Sequence, residues 1–372
     1  MKVAFLSYEF GEYCIRLASA MASDAEVCLL LPQKLANPHL GILDKRVQLH
    51  LFQKPRLRQS FQQIRNVYQL LQVIKKFKPD VIHVQHGHFW LNLALPLLRR
   101  YPLVFTIHDP RHHVGDRDSH NTPQFISDFG YRRADQVIVH GNQLKIIVTS
   151  ELHIPEKIVH VIPHLALGDD SANSEVQEEE NLLLFFGRIW EYKGLAYLIQ
   201  AEPLISARIP NIKIVIAGLG DDMEHYRRMM VNPEKFIIYN EYIPNERVPE
   251  MFRRASIVVL PYIEATQSGV IPMAYTFARP VVATTVGSLP EIVDDGHTGL
   301  LVPPRDAQAL ADAIVRLLQD KQLRQQMGVN GHYKINTECA PDTVARQTLE
   351  VYQRAIDEAQ PYRRKNEVQC AS

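Results

Sequence analysis

The sequence predicts an α/β protein built from two Rossmann-like domains that face each other across a deep cleft. Its 372 residues exceed what a single hydrophobic core usually serves. Short apolar, β-branched runs alternate with longer helical patterns in both halves of the chain, which is typical of βαβ units around a parallel sheet. A polar, acidic stretch over residues 168–181 separates the two halves. Because ligands bind at the carboxyl ends of parallel strands, the loops after the strands are the expected location of a site.

The first half, residues 1–167, contains six apolar runs of strand length. They cover residues 3–6, 27–31, 81–84, 103–107, 136–139 and 158–162. Residues 168–181 show no apolar periodicity, so we interpret them as a surface linker. This half is expected to form the acceptor-side domain.

The second half repeats the pattern over residues 182–340. Its predicted strands cover residues 182–186, 212–217, 236–239, 257–260, 281–283 and 299–302. Residues 341–372 follow as a helical pattern and a tail, and we expect this helix to cross back to the first domain. The sequence therefore predicts the same architecture twice.

The composition is that of a globular protein, with 46% hydrophobic and 22% charged residues. No apolar run approaches the roughly 18 residues of a membrane-spanning helix. The first apolar run ends at Glu9, so we interpret it as a strand and not as a secretory signal. The four cysteines have no paired spacing, which argues against disulfides or a zinc site. These features predict a cytoplasmic protein.

The net charge of zero hides a basic first half and an acidic second half. Residues 1–167 carry 20 basic and 13 acidic side chains, and residues 168–372 carry 21 and 28. Nine basic residues and no acidic one lie from Lys45 to Lys78, interleaved with apolar residues as on an amphipathic helix. Two interpretations stay open: a solvated helix face, or contact with an anionic membrane surface or a phosphate-bearing acceptor. The domain lacks a continuing basic stripe, so no nucleic-acid partner is expected.

The strongest local motif follows the first strand of the second half. The residues from Phe185 to Gly194 read FFGRIWEYKG, so Gly187 permits a sharp turn and Arg188 and Lys193 stand beside a predicted helix N-terminus. Two cations and free backbone amides suit a diphosphate, and they could stabilise negative charge on a departing nucleotide diphosphate. No metal is then needed at the site, and no cofactor is expected.

This segment resembles the G-R-x-x-x-x-K-G loop of the retaining glycosyltransferases of family 4. Further stretches resemble the family in order and spacing, from about residue 185 to residue 313. They are IAGLGD at 216–221, VVLP at 258–261, QSGV at 267–270, PVVAT at 280–284, GSLPE at 287–291 and DGHTGLLV at 295–302. The resemblance implies a GT-B fold, a nucleotide-sugar donor, retention of anomeric configuration, and a sugar, glycan or lipid-linked acceptor.

The resemblance also implies roles for individual residues. His108 and Asp109 resemble the family's His-Asp pair, with His108 at the donor sugar and Asp109 fixing a nearby turn on the acceptor side. Gly11 follows the first strand, where an acceptor could approach. The donor loop would comprise Gln267, Ser268, Gly269 and Val270, and backbone near Tyr242 and Ile243 would contact the nucleobase.

One departure concerns two glutamates that the family commonly carries eight residues apart. Ala265 and Met273 stand at those positions, and Glu264 lies one place early. The chain resembles a variant subgroup that keeps the glycine and its backbone amides without the acids. Recognition of the ribose and the identity of the donor are left open, and we interpret Met273 as helix core.

Rival interpretations belong to other classes of protein. A nicotinamide-dependent oxidoreductase shares the fold class, but the first strand is followed by no G-x-G-x-x-G fingerprint. A non-catalytic sugar-nucleotide-binding protein, or an epimerase or phosphorylase of the same architecture, also stays open. A metal site is disfavoured because the histidines lack carboxylate or cysteine partners at set spacing, and Asp116-Arg117-Asp118 is interpreted as a chance match.

Overall fold

A computed structural model describes residues 1–56, 58–111, 122–168, 176–220 and 222–370, with side chains described through residue 359. The described chain divides into two compact units. The first contains residues 1–56, 58–111, 122–165 and 341–370, and the second contains residues 166–168, 176–220 and 222–340. In the described part of the chain, no helix is long and apolar enough to cross a membrane.

Each unit is built on one parallel sheet, in the order β3-β2-β1-β4-β5-β6-β7 and β10-β9-β8-β11-β12-β13. The strands of the first unit are β1 (Lys2–Ser7), β2 (Glu26–Pro32), β3 (Gln48–Phe52), β4 (Val81–His86), β5 (Leu103–Thr106), β6 (Gln136–Val139) and β7 (Val159–Val161). Those of the second unit are β8 (Leu182–Phe186), β9 (Lys213–Ala217), β10 (Phe236–Tyr239), β11 (Ile257–Leu260), β12 (Val281–Thr284) and β13 (Gly299–Val302). Two such sheets confirm the predicted fold class.

Helices connect the strands and cover the sheets. In the first unit they are α1 (Gly11–Met21), α2 (Gln33–Ala36), α3 (Ser60–Phe77), α4 (Phe89–Ala94), α5 (Gln124–Arg132) and α6 (Asn142–Ser150). The second unit has α7 (Leu195–Ser206), α8 (Met223–Arg227), α9 (Val248–Arg254), α10 (Val270–Thr276), α11 (Leu289–Ile292), α12 (Ala307–Gln319) and α13 (Lys321–Thr337). The chain then enters α14 (Pro341–Cys370), which belongs to the first unit.

The basic segment differs from the helix expected from Lys45 to Lys78. Its first part forms β3, which pairs only with β2 at the sheet edge, and α3 begins at Ser60. Only Phe52 of β3 is buried. A strand at the sheet edge needs few apolar contacts. The apolar pattern of β3 is therefore short and could not be recognised in the sequence among the flanking basic residues.

The C-terminal helix α14 packs on α1 and along β4, β5 and β6. The Tyr352 hydroxyl lies 2.5 Å from Nδ1 of His83, and the Gln136 amide donates to the Glu358 carboxylate (2.9 Å). Tyr352 is fully buried. Residues far apart in sequence therefore complete the core of the first unit.

Residues 176–181 are attached to the second unit. Glu178 accepts hydrogen bonds from the guanidinium groups of Arg279 (3.2 Å) and Arg324 (2.9 Å). Glu179 forms ion pairs with Lys213 (2.7 Å) and Arg254 (2.8 Å). The acidic end of the segment that we interpreted as a linker is therefore bound to the second unit by ion pairs. Residues 169–175 of that segment lie outside the described chain.

Candidate active site

Two glycine turns meet at the carboxyl ends of β8 and β9. Gly187 has φ 111° and its N–H donates to the Ala217 carbonyl (2.9 Å). Gly218 has φ 149°, and a Cβ at this position would lie 1.8 Å from the Gly187 carbonyl oxygen. A Cβ at Gly220 would lie 2.1 Å from the Ile189 carbonyl oxygen. Close approach of two backbone segments explains why glycine stands at positions 218 and 220.

The two predicted cations lie on the loop between β8 and α7, each against an aromatic ring. The Arg188 guanidinium carbon is 4.1 Å from the Trp190 ring centroid, and the Lys193 ammonium is 3.8 Å from that of Tyr262. Arg188 is exposed and Lys193 is half-buried. Burial raises the pKa of Tyr262 to about 12, and the charge of Arg188 acts in the opposite direction. A cation over an aromatic ring is attracted by the electrons of the ring face, so each of these side chains is held against its ring.

Gly194 connects this loop to the segment after β11. It has φ 69°, and a Cβ there would lie 1.8 Å from the Pro261 carbonyl oxygen. The Ile263 N–H donates to the Tyr192 carbonyl (2.9 Å). The predicted helix begins immediately after this glycine, at Leu195. The cationic loop and the donor loop after β11 are therefore fixed to each other through backbone.

The predicted donor loop precedes α10. Ser268 is buried, and its hydroxyl accepts a hydrogen bond from the Val270 N–H (3.2 Å) and lies 3.4 Å from the Tyr262 hydroxyl. Gly269 is the residue before the helix, and Gln267 is half-buried. Pro272 stands in the first turn and has no N–H, so this helix offers fewer free amides than a usual N-terminus.

Tyr242 and Ile243, predicted near the nucleobase, follow β10. Tyr242 is 70% exposed, whereas Ile243 is buried. The turn after β9 contacts the end of β10, because the Gly218 N–H donates to the Tyr239 carbonyl (3.0 Å). The loops after β8, β9 and β11 are thus brought together, and Tyr242 and Ile243 lie three and four residues beyond the end of the neighbouring strand.

The positions that depart from the family pattern are apolar contacts. Met273 and Ala265 are partly buried and pack against the core of the second unit. A Cβ at Gly168 would lie 2.5 Å from the Met273 sulfur. This contact agrees with the interpretation of Met273 as helix core.

In the first unit, His108 lies at the end of β5 among aromatic and polar side chains. Its ring stacks on Phe10 (4.1 Å between centroids) and lies 4.9 Å from the His140 ring. The Gln85 amide nitrogen is 2.9 Å from His108 Nε2. Tyr13 contacts the same ring edge-on (6.1 Å). Phe10 has φ 59°, an uncommon conformation for a large residue, so the stacked ring is held at a cost in backbone strain.

Burial keeps the imidazole of His108 neutral. Desolvation lowers the pKa of His108 well below its ordinary value, and the neighbouring His140, His164, His86 and His83 act in the same direction. A neutral imidazole presents one donor and one acceptor nitrogen, which suits hydrogen bonding to sugar hydroxyls.

The structure explains Gly11 by packing. Gly11 is the first residue of α1, and a Cβ there would lie 2.2 Å from the Leu35 carbonyl oxygen. Asp109 is exposed, and its carbonyl accepts a hydrogen bond from the Tyr131 hydroxyl (3.4 Å). The acceptor-side roles of both residues stay predictions.

Sequence reasoning missed the neighbours of His108, namely Phe10, Tyr13, Gln85 and His140. One signal was present: β4 reads VIHVQH, so two polar side chains, His83 and Gln85, lie two positions apart within a buried strand and point to the same face. In the described ranges, no group of three His, Cys, Asp or Glu side chains could hold a metal. His112, His113, His120 and Asp116-Arg117-Asp118 lie outside those ranges.

Two family models match the chain, one on each half. Residues 11–165 match the model described as Glycosyltransferase Family 4, and residues 180–320 match that described as Glycosyl transferases group 1. An uncharacterized glycosyltransferase of Methanocaldococcus jannaschii is 27% identical over 75% of this chain and 76% of its own length. A D-inositol 3-phosphate glycosyltransferase of Corynebacterium glutamicum is 30% identical over 65% of each chain, so the match spans just under two thirds of that relative.

Solved structures share the fold at low sequence identity. Sucrose-phosphate synthase from Thermosynechococcus elongatus superposes with a TM-score of 0.74, at 20% identity, over 96% of this chain and 100% of that one. HepE from Anabaena, solved in complex with UDP-glucose, gives a TM-score of 0.70 at 18% identity, over 95% and 100%. With the two family models, these similarities confirm the resemblance seen in the sequence: the chain belongs to the family 4, group 1 glycosyltransferases with the GT-B fold.

Proposed function

We propose that this glycosyltransferase transfers a sugar from a nucleoside diphosphate sugar, with retention of anomeric configuration and without a bound metal ion. The loop that carries Arg188 and Lys193 is the observation on which the proposal depends. Its two cations lie 4.1 and 3.8 Å from aromatic rings on a loop held by Gly187 and Gly194. UDP is a reasonable nucleotide to test first, because HepE was solved with UDP-glucose.

Charge explains how this loop could act without a metal. Breaking the bond between sugar and diphosphate leaves additional negative charge on the diphosphate, and preorganised cations stabilise that charge. Arg188 offers a planar fork to phosphate oxygens and Lys193 offers a compact charge. We expect turnover to survive complete chelation by EDTA; activity that is lost in EDTA and restored by Mg²⁺ or Mn²⁺ would contradict metal independence.

His108 is assigned to the transferred sugar. It is buried and neutral, so it can exchange hydrogen bonds with a sugar hydroxyl or the reacting oxygen without adding charge. A free nucleoside diphosphate has no sugar at that position. Loss of His108 should therefore affect turnover and leave the affinity for UDP nearly unchanged.

Calorimetric titration with UDP tests the division of roles. Arg188→Ala should weaken UDP binding and lower kcat by roughly two to three powers of ten. His108→Ala should lower kcat with nearly unchanged UDP affinity. Arg316→Ala removes an exposed arginine of α12 and is the matched control. If folded His108→Ala loses UDP affinity as severely as Arg188→Ala, the proposed roles are wrong.

Retention is tested separately by the first anomer formed. With UDP-glucose as donor, proton NMR at early times should show a product with the α configuration of the donor. The same spectrum applies to slow hydrolysis of the donor when no acceptor is supplied. An initial β product would rule out retention.

We also propose that α3 brings the first unit to an anionic membrane that carries or surrounds the acceptor. Phe61, Ile64 and Tyr68 are 81, 54 and 61% exposed, and their spacing places them on one stripe of the helix. Exposed Arg65 follows Ile64 on the helix, and exposed Arg58 lies two residues before the helix begins. Apolar side chains flanked by cations suit the interface of an anionic bilayer.

Sedimentation with vesicles of phosphatidylcholine and phosphatidylserine tests this surface. Binding should fall steeply as salt rises, because exposed charges are screened beyond about 10 Å at 0.1 M. Phe61→Ser combined with Tyr68→Ser should reduce binding, whereas Val329→Ser, at an exposed residue of α13, should not. Equal binding to neutral vesicles would refute an electrostatic membrane contact.

A further inference from the structure

The backbone around Arg188 runs beside the turn after β9. Ile189 forms an isolated parallel bridge with Gly220, and its N–H donates to the Leu219 carbonyl (3.1 Å). The Ile189 side chain is fully buried in the core of the second unit. Because side chains alternate along an extended segment, Arg188 and Trp190 share the opposite side. This alternation explains why the Arg188 guanidinium carbon lies 4.1 Å from the centroid of the Trp190 ring.

The two side chains of this contact differ in how firmly the fold holds them. Trp190 is 6% exposed, and its ring lies 6.1 Å from the ring of Tyr192, which is also buried. Arg188 is exposed. A buried ring has little rotamer freedom left, whereas a long exposed arginine samples many rotamers unless a contact favours one. The indole is therefore the fixed partner, and the guanidinium is the group that it holds.

An aromatic partner also suits a loop that binds an anion. A carboxylate partner would add a negative charge that repels phosphate. The indole of Trp190 attracts the guanidinium through its ring face and adds no negative charge to the loop. Lys193 is held in a similar way, because its ammonium lies 3.8 Å from the ring centroid of Tyr262 and 4.9 Å from that of Tyr192. Both cations of the loop thus rest against aromatic rings.

We infer that Trp190 is a positioning residue that holds the Arg188 guanidinium where the diphosphate of the donor binds. The part that concerns the diphosphate rests on the proposed function, whereas the contact between the two side chains does not. An arginine that is ordered before the ligand arrives loses less conformational freedom on binding. A preorganised charge also stabilises the diphosphate better as the sugar departs. Trp190 therefore acts on the ligand through Arg188.

Proton NMR tests the contact without any ligand. Protons over the face of an indole ring resonate upfield, so the side-chain protons of Arg188 should be shifted upfield from those of other exposed arginines. The signals are assigned by their loss in Arg188→Ala. Trp190→Leu should abolish the shift, whereas Trp90→Leu, which removes the other tryptophan of the chain, should leave it unchanged. Unshifted Arg188 signals in the folded wild type would overturn the inference.

A double-mutant cycle tests whether Trp190 acts through Arg188. Trp190→Leu should weaken UDP binding about 2- to 30-fold, the range for loss of one cation–π contact, when measured by calorimetry. Trp190→Phe keeps an aromatic face and should restore part of that affinity. In the Arg188→Ala background, Trp190→Leu should change UDP affinity by less than about 2-fold, because the partner of the ring is already absent.

The outcomes separate positioning from general support of the loop. An equal loss of UDP affinity in both backgrounds would show that Trp190 acts independently of Arg188 and would overturn the inference. Full UDP affinity in folded Trp190→Leu would overturn it as well. If the wild type binds neither UDP nor another nucleoside diphosphate, the proposed function fails, and the upfield shift still decides whether Trp190 holds Arg188.

Discussion

At the scale of single residues, Tyr262 is the partner that sequence reasoning did not connect to Lys193. Its ring lies 3.8 Å from the Lys193 ammonium, and its hydroxyl lies 3.4 Å from the Ser268 hydroxyl. The two contacts attach one tyrosine to both the cationic loop and the donor loop. The Tyr262 ring positions the Lys193 ammonium, whereas the Tyr262 hydroxyl contributes only a long hydrogen bond to Ser268.

This division gives a matched pair of variants at Tyr262. Tyr262→Phe keeps the ring and should bind UDP nearly as wild type does. Tyr262→Leu removes the cation–π contact, worth about 0.5–2 kcal/mol, and should weaken UDP binding about 2- to 30-fold. Calorimetry on folded protein measures both. A loss of affinity that is equal in the two variants would assign the effect to the hydroxyl.

Some site residues could be predicted from sequence and others could not. Gly187, Arg188 and Lys193 follow a buried apolar strand within a few residues, so their position at its carboxyl end is a local property. His83 and Tyr352 touch although 269 residues separate them, and no local pattern encodes such a contact. The partners of His108 come from several elements, so only a folded chain identifies them.

At the scale of elements, backbone contacts between loops leave no space for a side chain at specific glycines. Gly194 and Gly296 both have positive φ, at 69° and 75°. A Cβ at Gly194 would lie 1.8 Å from a backbone oxygen, whereas a Cβ at Gly296 would meet nothing within 4 Å. An alanine at Gly296 would therefore report only the free-energy cost of a left-handed backbone, whereas an alanine at Gly194 would add the cost of a steric clash.

Alanine at each of these glycines should therefore have unequal effects. Gly296→Ala should lower the free energy of unfolding by about 1 kcal/mol, the cost of a left-handed residue. Gly194→Ala should lower it by a further 1–3 kcal/mol or so, because Pro261 must move. It should also weaken UDP binding, since the cationic loop moves with it. Denaturant titration of both variants checks the order, and equal losses would contradict the clash.

Strand prediction succeeded where the strand is a nearly uninterrupted apolar run, including the edge strand β10, which reads FIIY although only Phe236 is buried. The predicted strands at residues 136–139, 182–186, 236–239, 257–260 and 299–302 have the observed bounds. β3 was missed because it reads QLHLF, so Gln48 and His50 interrupt its apolar run at the sheet edge. Residues 176–181 were interpreted as part of a surface linker from their polar, acidic composition. Composition does not show that Glu178 forms an ion pair with a buried arginine.

The Glu178 contacts predict an unusual sensitivity in that acidic stretch. Arg324 is 2% exposed, so removing its carboxylate partner leaves a buried charge. Glu178→Ala should lower the free energy of unfolding by about 3–5 kcal/mol. Glu180→Ala removes the same charge two residues away, at an exposed position, and should change it by less than about 0.5 kcal/mol. Similar losses in both variants would show that Glu178 acts only through net charge.

At the scale of the whole molecule, α14 makes the first unit depend on the end of the described chain. Tyr352 is fully buried against His83. Tyr352→Ala should destabilise the first unit by about 3–5 kcal/mol, and Tyr352→Phe by about 1–3 kcal/mol because one histidine nitrogen loses its partner. Hydrogen exchange should show the loss in the first unit while the second keeps its protection. Equal loss in both units would contradict the division.

Titration should also distinguish the two units, because every buried histidine of the described chain lies in the first one. Burial lowers the pKa of His83 and His140 to about 3, and those of His88 and His164 to about 4. These groups stay neutral in the folded protein and become charged on unfolding once the pH is below about 6.5. The unfolded state then binds more protons, so the free energy of unfolding decreases as pH falls from about 6.5 towards 4.

The expected decrease in the free energy of unfolding is large for the first unit. Each such histidine contributes about 1.4 kcal/mol per pH unit, so four contribute about 5 kcal/mol per pH unit within that window. A domain is stable by only about 5–15 kcal/mol, so the first unit should open between roughly pH 5 and 4. Hydrogen exchange at a series of pH values, corrected for intrinsic rates, should show protection lost in β4 and β6 before β8 and β11. His140→Gln should reduce the pH dependence by about one proton. Simultaneous opening of both units, or an unchanged slope in His140→Gln, would show that the buried histidines do not control acid stability.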